Sequence, residues 1–327
     1  MTGSVGMRKL FSSAFKCGAS LCLFGWFGCA TVREPPPPAY WRELGAAYDQ
    51  ALRQAGEGVF PPSAGAAPEV VVYQGVAEIP ADSRFADSLR RGYAVADLPR
   101  NTIHLPAWRW RQRADGARSP HRMLLHELAH LHLYRVTVFV LPPALAELAG
   151  VERLNTAPWW LHEGWAGYVE VADLVENRLV WPSLNRARAR DLRRLMRAGR
   201  SLDPARLLTL DSMGKLDGGD YAVAWALVHW ILHHPEPRRR DRNRQAWIEY
   251  LAACRRGFYP PEADPMAAFA AEFLDCRGSL IEDWRERWQR RLTHESRRAF
   301  LALFVAPMEE AEWVELWREE MATMLAE

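Results

Sequence analysis

The chain has 327 residues, nearly half of them apolar and a quarter charged, a soluble globular composition with enough length to bury a sizeable core. Its formal net charge of +2 hides a local excess, because Arg8, Lys9 and Lys16 fall in a first segment without acidic residues and the remainder is close to neutral. That balance excludes the broad basic surface of a nucleic-acid binder.

Met7-Arg8-Lys9 opens a short basic stretch, and CGASLCLFGWFGC (17–29) follows as an apolar run. The run is too short to cross a bilayer but suits the core of an export signal. It ends at Cys29, just before the proline-rich REPPPP. This arrangement resembles a bacterial lipoprotein signal over residues 1–29. The resemblance implies lipid on Cys29 and a place in the cell envelope, on the periplasmic or outer-membrane side. A plain signal peptide would give a secreted protein instead, and an uncleaved anchor is the third alternative. Export means an oxidising compartment. Cys17 and Cys22 would leave with the signal, so Cys254 and Cys276 remain, the number that one disulfide needs. Two buried free thiols are the alternative.

Residues 30–66 read as a proline-rich tether and a short helix, with Trp41, Leu44, Tyr48 and Leu52 at helical spacing from Ala39 to Gly56. EVVVYQGV (69–76) reads as a strand, and Gly92–Val95 and Asn101–Leu105 as two more. From Ser119, an N-cap followed by Pro120, the texture turns helical. Pro142-Pro143 interrupts it, and Pro158 starts a new helix at Trp159. Arg186–Arg197 is a basic amphipathic helix whose charges read as a solvated face. Tyr221–His233 is apolar and reads as a buried helix, RRRDRNR (238–244) as a solvated loop, and further helices follow near 244–256, 265–275, 280–292 and 309–326. The order is an α+β pattern, a small early sheet and then many helices. The expected body spans 67–295, with 296–327 as a helical extension that docks on it.

The chemistry concentrates in LLHELAHLHLY (124–134). Residues four apart on a helix share a face, so His126 and His130 can reach one cation, with Glu127 beside the first. An amphipathic helix beside core leucines could spell the same pattern. A second stretch weighs against that reading: PWWLHEGWAGYVE (158–170) places Glu163 early in the next helix, where it can supply a third ligand.

HExxH on one helix and WLHEGWAGY (160–168) on the next resemble the gluzincin zinc metallopeptidases. The body from about Glu69 to Leu292 is also similar to a poorly characterised family of exported peptidase-like proteins. The resemblance implies a zincin-like fold, with the sheet packed on the zinc-bearing helix. It implies one zinc per chain, held by His126, His130 and Glu163. It further implies peptide-bond hydrolysis in which Glu127 takes a proton from zinc-bound water and returns it to the leaving amine. Tyr221, at the start of a later helix, is the candidate stabiliser of the oxyanion; a core tyrosine is the alternative. Two positions depart from the pattern: His162 stands where asparagine is usual, and Gly167 where relatives place an acidic residue that orients a ligand histidine. Glu170 and Asp173 are the candidates to replace it. An extended peptide or protein substrate would add to a strand edge, expected at Asn101–Leu105, where His104 faces substrate or solvent. No GxMxN-like stretch for a free amino terminus is present, which favours an endopeptidase. The rival is a catalytically silent lipoprotein of the same fold that binds peptide or an envelope partner. The fifteen tryptophans, Trp108, Trp110, Trp159 and Trp160 among them, fit core packing better than a sugar surface.

Overall fold

Ile103 and Leu105 alternate with His104 along a short strand, and that period of two gives the early sheet two different faces. The protein, a computed structural model, is described here for residues 36–55, 66–108, 120–181, 184–200, 202–211, 216–275 and 281–326. Cys29, the tether up to Glu34, Trp110 and Ser119 lie outside them.

The first helix, α1 (Pro38–Ala55), buries Trp41, Leu44, Tyr48 and Leu52. The sheet holds β1 (Glu69–Tyr73), β2 (Val95–Asp97) and β3 (Thr102–Pro106), with a short helix α2 (Ala86–Arg90) between the first two. Its order is β1-β3-β2, with β1 parallel and β2 antiparallel to β3. Val70, Ile103 and Leu105 join the main core, while Val71, Tyr73 and Val95 close over Ile79, Ala86 and Leu89 on the outer face.

Under the inner face runs α3 (Pro120–Thr137), buried nearly all round through Leu124, Leu125, Leu128, Ala129, Leu131 and Leu133. Its burial is wide although it carries His126, Glu127, His130 and His132, so these polar side chains are held buried or half-buried within the protein. A minimal hairpin of β4 (Phe139–Val140) and β5 (Arg153–Leu154) brackets α4 (Pro143–Ala149). Next come α5 (Trp159–Val169), a hairpin of β6 (Asp173–Val175) and β7 (Arg178–Val180), α6 (Arg186–Arg197) and α7 (Pro204–Leu207). The buried helix α8 (Gly218–His233) starts with a capping box between Asp217 and Asp220. After it come α9 (Pro237–Arg255), α10 (Pro265–Asp275), α11 (Ile281–Phe300), a π turn and α12 (Glu310–Ala326).

Two expectations are corrected here. The described residues from 36 onward form one compact unit; the expected short helix is α1, which packs into the core, and the expected boundary at 295/296 falls inside α11. RRRDRNR is the first half of α9, not a loop, because Pro237 starts a helix whose second half buries Trp247, Tyr250 and Leu251. Cys254 is buried and free among the described residues, its thiol pushed up by burial; Cys276, the other half of the possible bridge, lies outside them. The C-terminal helix does dock on the body. Trp313, Trp317 and Met321 are buried, and Glu320 accepts hydrogen bonds from Trp230 Nε1 at 2.6 Å and Arg239 Nη1 at 2.5 Å. No helix among the described residues is long and apolar enough to cross a membrane.

His229, in the middle of α8, is an interior residue stacked between Trp225 and His233, and His233 in turn meets the Tyr168 hydroxyl at 2.7 Å. Burial, with His233 adding, lowers its pKa from 6.5 to about 4. The unfolded chain then takes up the proton first, so stability is full at neutral pH and falls as pH drops from 6.5 toward about 4. The loss reaches about 2 kcal/mol by roughly pH 4.5. With His229→Leu, the difference in urea-unfolding free energy between neutral and acid pH should shrink by that amount. An unchanged pH slope would mean the imidazole is not kept neutral.

Candidate metal centre

α3 and α5 lie side by side and bring the two halves of the sequence pattern together. His126 and His130 project from one face of α3. Pro158 caps the start of α5 and accepts backbone bonds from Leu161 and His162, which sets Glu163 one turn into the helix. His126 Nε2 is 3.5 Å from Glu163 Oε2, and His130 Nε2 is 3.8 Å from Glu163 Oε1. The three ligand atoms all lie within 4.8 Å of one another. His126 and Glu163 are buried and His130 is the most exposed of the three. These residues can hold a metal ion, and the structure offers a direct test of fit. Glu163 Oε2 is buried without a hydrogen-bond partner, although an orphaned carboxylate oxygen is costly; a cation between the three side chains removes that cost. No other His, Cys, Asp or Glu joins the group among the described residues, so three donors leave a coordination position open.

The electrostatics favour positive charge at this point. Burial alone would lower His126, but the carboxylates of Glu163 and Glu170 on either side of its ring, with Glu127 adding, raise it to about 10. Burial would raise Glu163, and the three imidazoles of His130, His126 and His162 instead hold it down at about 2. The carboxylates that favour a proton on His126 would equally favour a metal cation in its place.

Glu170 takes the place left by Gly167. Its Oε2 meets His126 Nδ1 at 3.0 Å, which turns Nε2 toward Glu163. Glu170 stands seven residues after Glu163, two turns along the same face, so it was within reach of sequence reasoning. Asp173, the other candidate, is exposed at the start of β6. The unexpected His162 is buried against His130, with ring centroids 5.6 Å apart. Asn155 Oδ1 accepts from the Ala157 N–H, and the same amide meets His162 Nε2, with Nδ2 at 3.0 Å and Oδ1 at 3.1 Å. Burial lowers His162 to about 4, so it is a neutral ring at neutral pH. No sequence signal marked Asn155.

Glu127 points to the sheet, where its Oε2 accepts the Ala96 N–H at 2.9 Å. This corrects the expected strand edge. Asn101–Leu105 falls mainly in β3, which is paired on both sides. The chain turns at Leu98–Asn101, with Asn101 in the left-handed region at φ 55°, and so folds β2 back along the outside of β3. The edge beside the metal helix is β2, and the alternation of an antiparallel pair turns Ala96's backbone groups outward. His104 lies on the outer face of the sheet, bonded through Nδ1 to the Tyr73 hydroxyl at 3.0 Å. Tyr221 is half-buried in the first turn of α8, its ring 5.7 Å from the guanidinium carbon of Arg188. Trp160 is buried in the core, and Trp159 packs on His162.

Among known proteins, a family model described as "Protein of unknown function (DUF1570)" matches residues 144–250. That span contains Glu163, Glu170 and Tyr221 and begins after His126 and His130. No curated protein and no solved structure matches the chain.

Proposed function

We propose that this protein is a zinc-dependent peptidase of gluzincin type, an exported and lipid-anchored endopeptidase. The observation that carries this reading is the buried group of His126, His130 and Glu163, with Glu127 held between it and the free edge of a strand. Two imidazoles, a carboxylate and an open position are the donor set of a catalytic zinc rather than a structural one. When bound, zinc supplies a Lewis acid that polarises a carbonyl and makes water acidic enough to ionise near neutrality.

The chain's own residues supply the rest. His126, turned by Glu170, together with His130 and Glu163 would hold the ion. Glu127, one residue from the first ligand, is the base that takes the proton of the attacking water and the acid that returns it to the leaving amine. An extended peptide laid along β2, where Glu127 already takes the Ala96 N–H, would pair with the outward backbone oxygen of Ala96, and its main-chain hydrogen bonds would align the scissile bond with the base. Tyr221 is the candidate oxyanion donor. In the structure its ring lies against Arg188, so that role requires its hydroxyl to reach the open position. Lipid at Cys29 and a place in the envelope rest on the sequence of the first segment alone.

Metal content decides the reading at its root. The purified chain loaded with zinc should carry about one ion, and Glu163→Ala, which removes one of three donors, should lose it on dialysis while keeping its circular dichroism. A folded wild type that takes up no zinc would overturn the metallopeptidase reading and leave the silent, peptide-binding lipoprotein in its place.

A further inference from the structure

Glu170 can orient His126 only if it is itself held. Two side chains from the start of α6 reach it. Asn185 Nδ2 donates to Glu170 Oε1 at 3.1 Å and to the backbone oxygen of Gly167 at 2.7 Å. The amide's orientation is fixed from the other side, because Asn185 Oδ1 caps α6 by accepting from the N–H groups of Ala187 and Arg188. Arg188 Nε lies 3.3 Å from the same Glu170 Oε1. The Asn185 amide thus donates to Oε1, the Arg188 guanidinium pairs with the same oxygen by charge without a hydrogen bond, and the other oxygen, Oε2, is left for His126.

Arg188 is placed with some precision. It is 7 % exposed, in a helix where Arg186, Arg190, Arg194 and Arg197 face solvent and Arg193 donates to the backbone oxygen of Leu325. The ring of Tyr221 covers one side of it. Arg188 passes beside Gly167, where a Cβ would make an ordinary contact at 3.6 Å from Arg188 Nε. Arg188 Nε and Nη2 are both buried without a hydrogen-bond partner, a cost that packing alone does not explain and that the charge of Glu170 at 3.3 Å offsets. A methionine or leucine would fill the same space without that cost.

We propose that the first turn of α6 is a positioning element of the metal centre. Arg188 and Asn185 hold Glu170, Glu170 holds His126, and docking of α6 on α5 is thereby coupled to metal binding. The proposal rests on the metal-site reading above. Coupling of this kind is reciprocal: if the docked turn strengthens metal binding, bound metal must strengthen the docking.

The test is zinc affinity of the full chain, measured by chelator competition, with circular dichroism as the check on folding. Arg188→Met should bind zinc about 10-fold more weakly, in the range found when partners of metal ligands are removed, and Arg188→Lys should recover part of the loss. In a Glu170→Gln background the same Arg188→Met change should cost nothing further, since Arg188 acts only through Glu170. Asn185→Ser keeps a cap on α6 but not the reach to Glu170, and should also weaken zinc. In the unsubstituted protein, zinc should slow amide hydrogen exchange in the first turns of α6. Undiminished affinity in Arg188→Met, or an equal loss with and without Glu170, overturns the proposal while leaving the metal site standing. A wild type that takes up no zinc overturns both.

Discussion

Glu127→Gln should reduce peptide hydrolysis by about a thousandfold, within the range that a positioned general base contributes, while leaving zinc content unchanged. Glutamine has the same shape, and its Oε1 can still accept the Ala96 N–H that Glu127 Oε2 accepts at 2.9 Å. The amide therefore stays where the carboxylate was, but it cannot take a proton from water. None of His126, His130 and Glu163 loses an atom, so the metal should remain. The measurement is turnover on a peptide that the wild type cleaves, with zinc counted in the same preparations. Turnover within a few fold of wild type would remove Glu127 from the mechanism. A variant that loses zinc along with activity would show that the carboxylate serves the metal instead. An inactive wild type with zinc fully bound, across a broad mixture of peptides, would favour the binding-protein alternative.

The site was legible where sequence spacing alone decides geometry. Pro120 starts α3 and Pro158 precedes α5, and between them they fix which faces carry His126, His130 and Glu163. What escaped depends on how elements pair. β2 and β3 read equally as strands, and only the antiparallel return at Asn101 makes β2 the edge that Glu127 meets. Arg188 was read as one charge of a solvated face, although its place four residues before the buried Leu192 puts it on the apolar side of α6. Its partner Glu170 is on another helix, so nothing local announced the pair. The basic run in α9 was read as a loop because its charges were weighed and its backbone preference was not. Arginine is a good helix former, and the buried Trp247, Tyr250 and Leu251 further along anchor that helix to the core.

Gly164→Ala should destabilise the protein by about 3 kcal/mol, at the upper end of the usual cost of overpacking, and should lower zinc content as well. A Cβ at this position would lie 2.4 Å from the backbone oxygen of Ala224 and 2.7 Å from Val228 Cγ2. The first of these is main chain in the middle of α8, a buried helix that cannot yield by turning a side chain. Relief therefore has to come from moving α5 away from α8, and the residue next to the clash is Glu163. A shift of a few tenths of an ångström there would be felt directly by Glu163, the proposed third metal ligand. Gly167, one turn further along α5, is the internal control. A Cβ there meets nothing closer than Trp225 Cβ at 3.4 Å, an ordinary contact, and alanine favours a helix over glycine by up to about 1 kcal/mol. Gly167→Ala should thus be near neutral or slightly stabilising by urea unfolding, with zinc retained. The contrast separates two explanations of the glycines in HEGWAGY (162–168). If both variants lose stability alike, glycine is needed for something other than the crossing with α8. If only Gly164→Ala does, that residue is what lets two buried helices approach closely enough to carry Glu163 to the histidines.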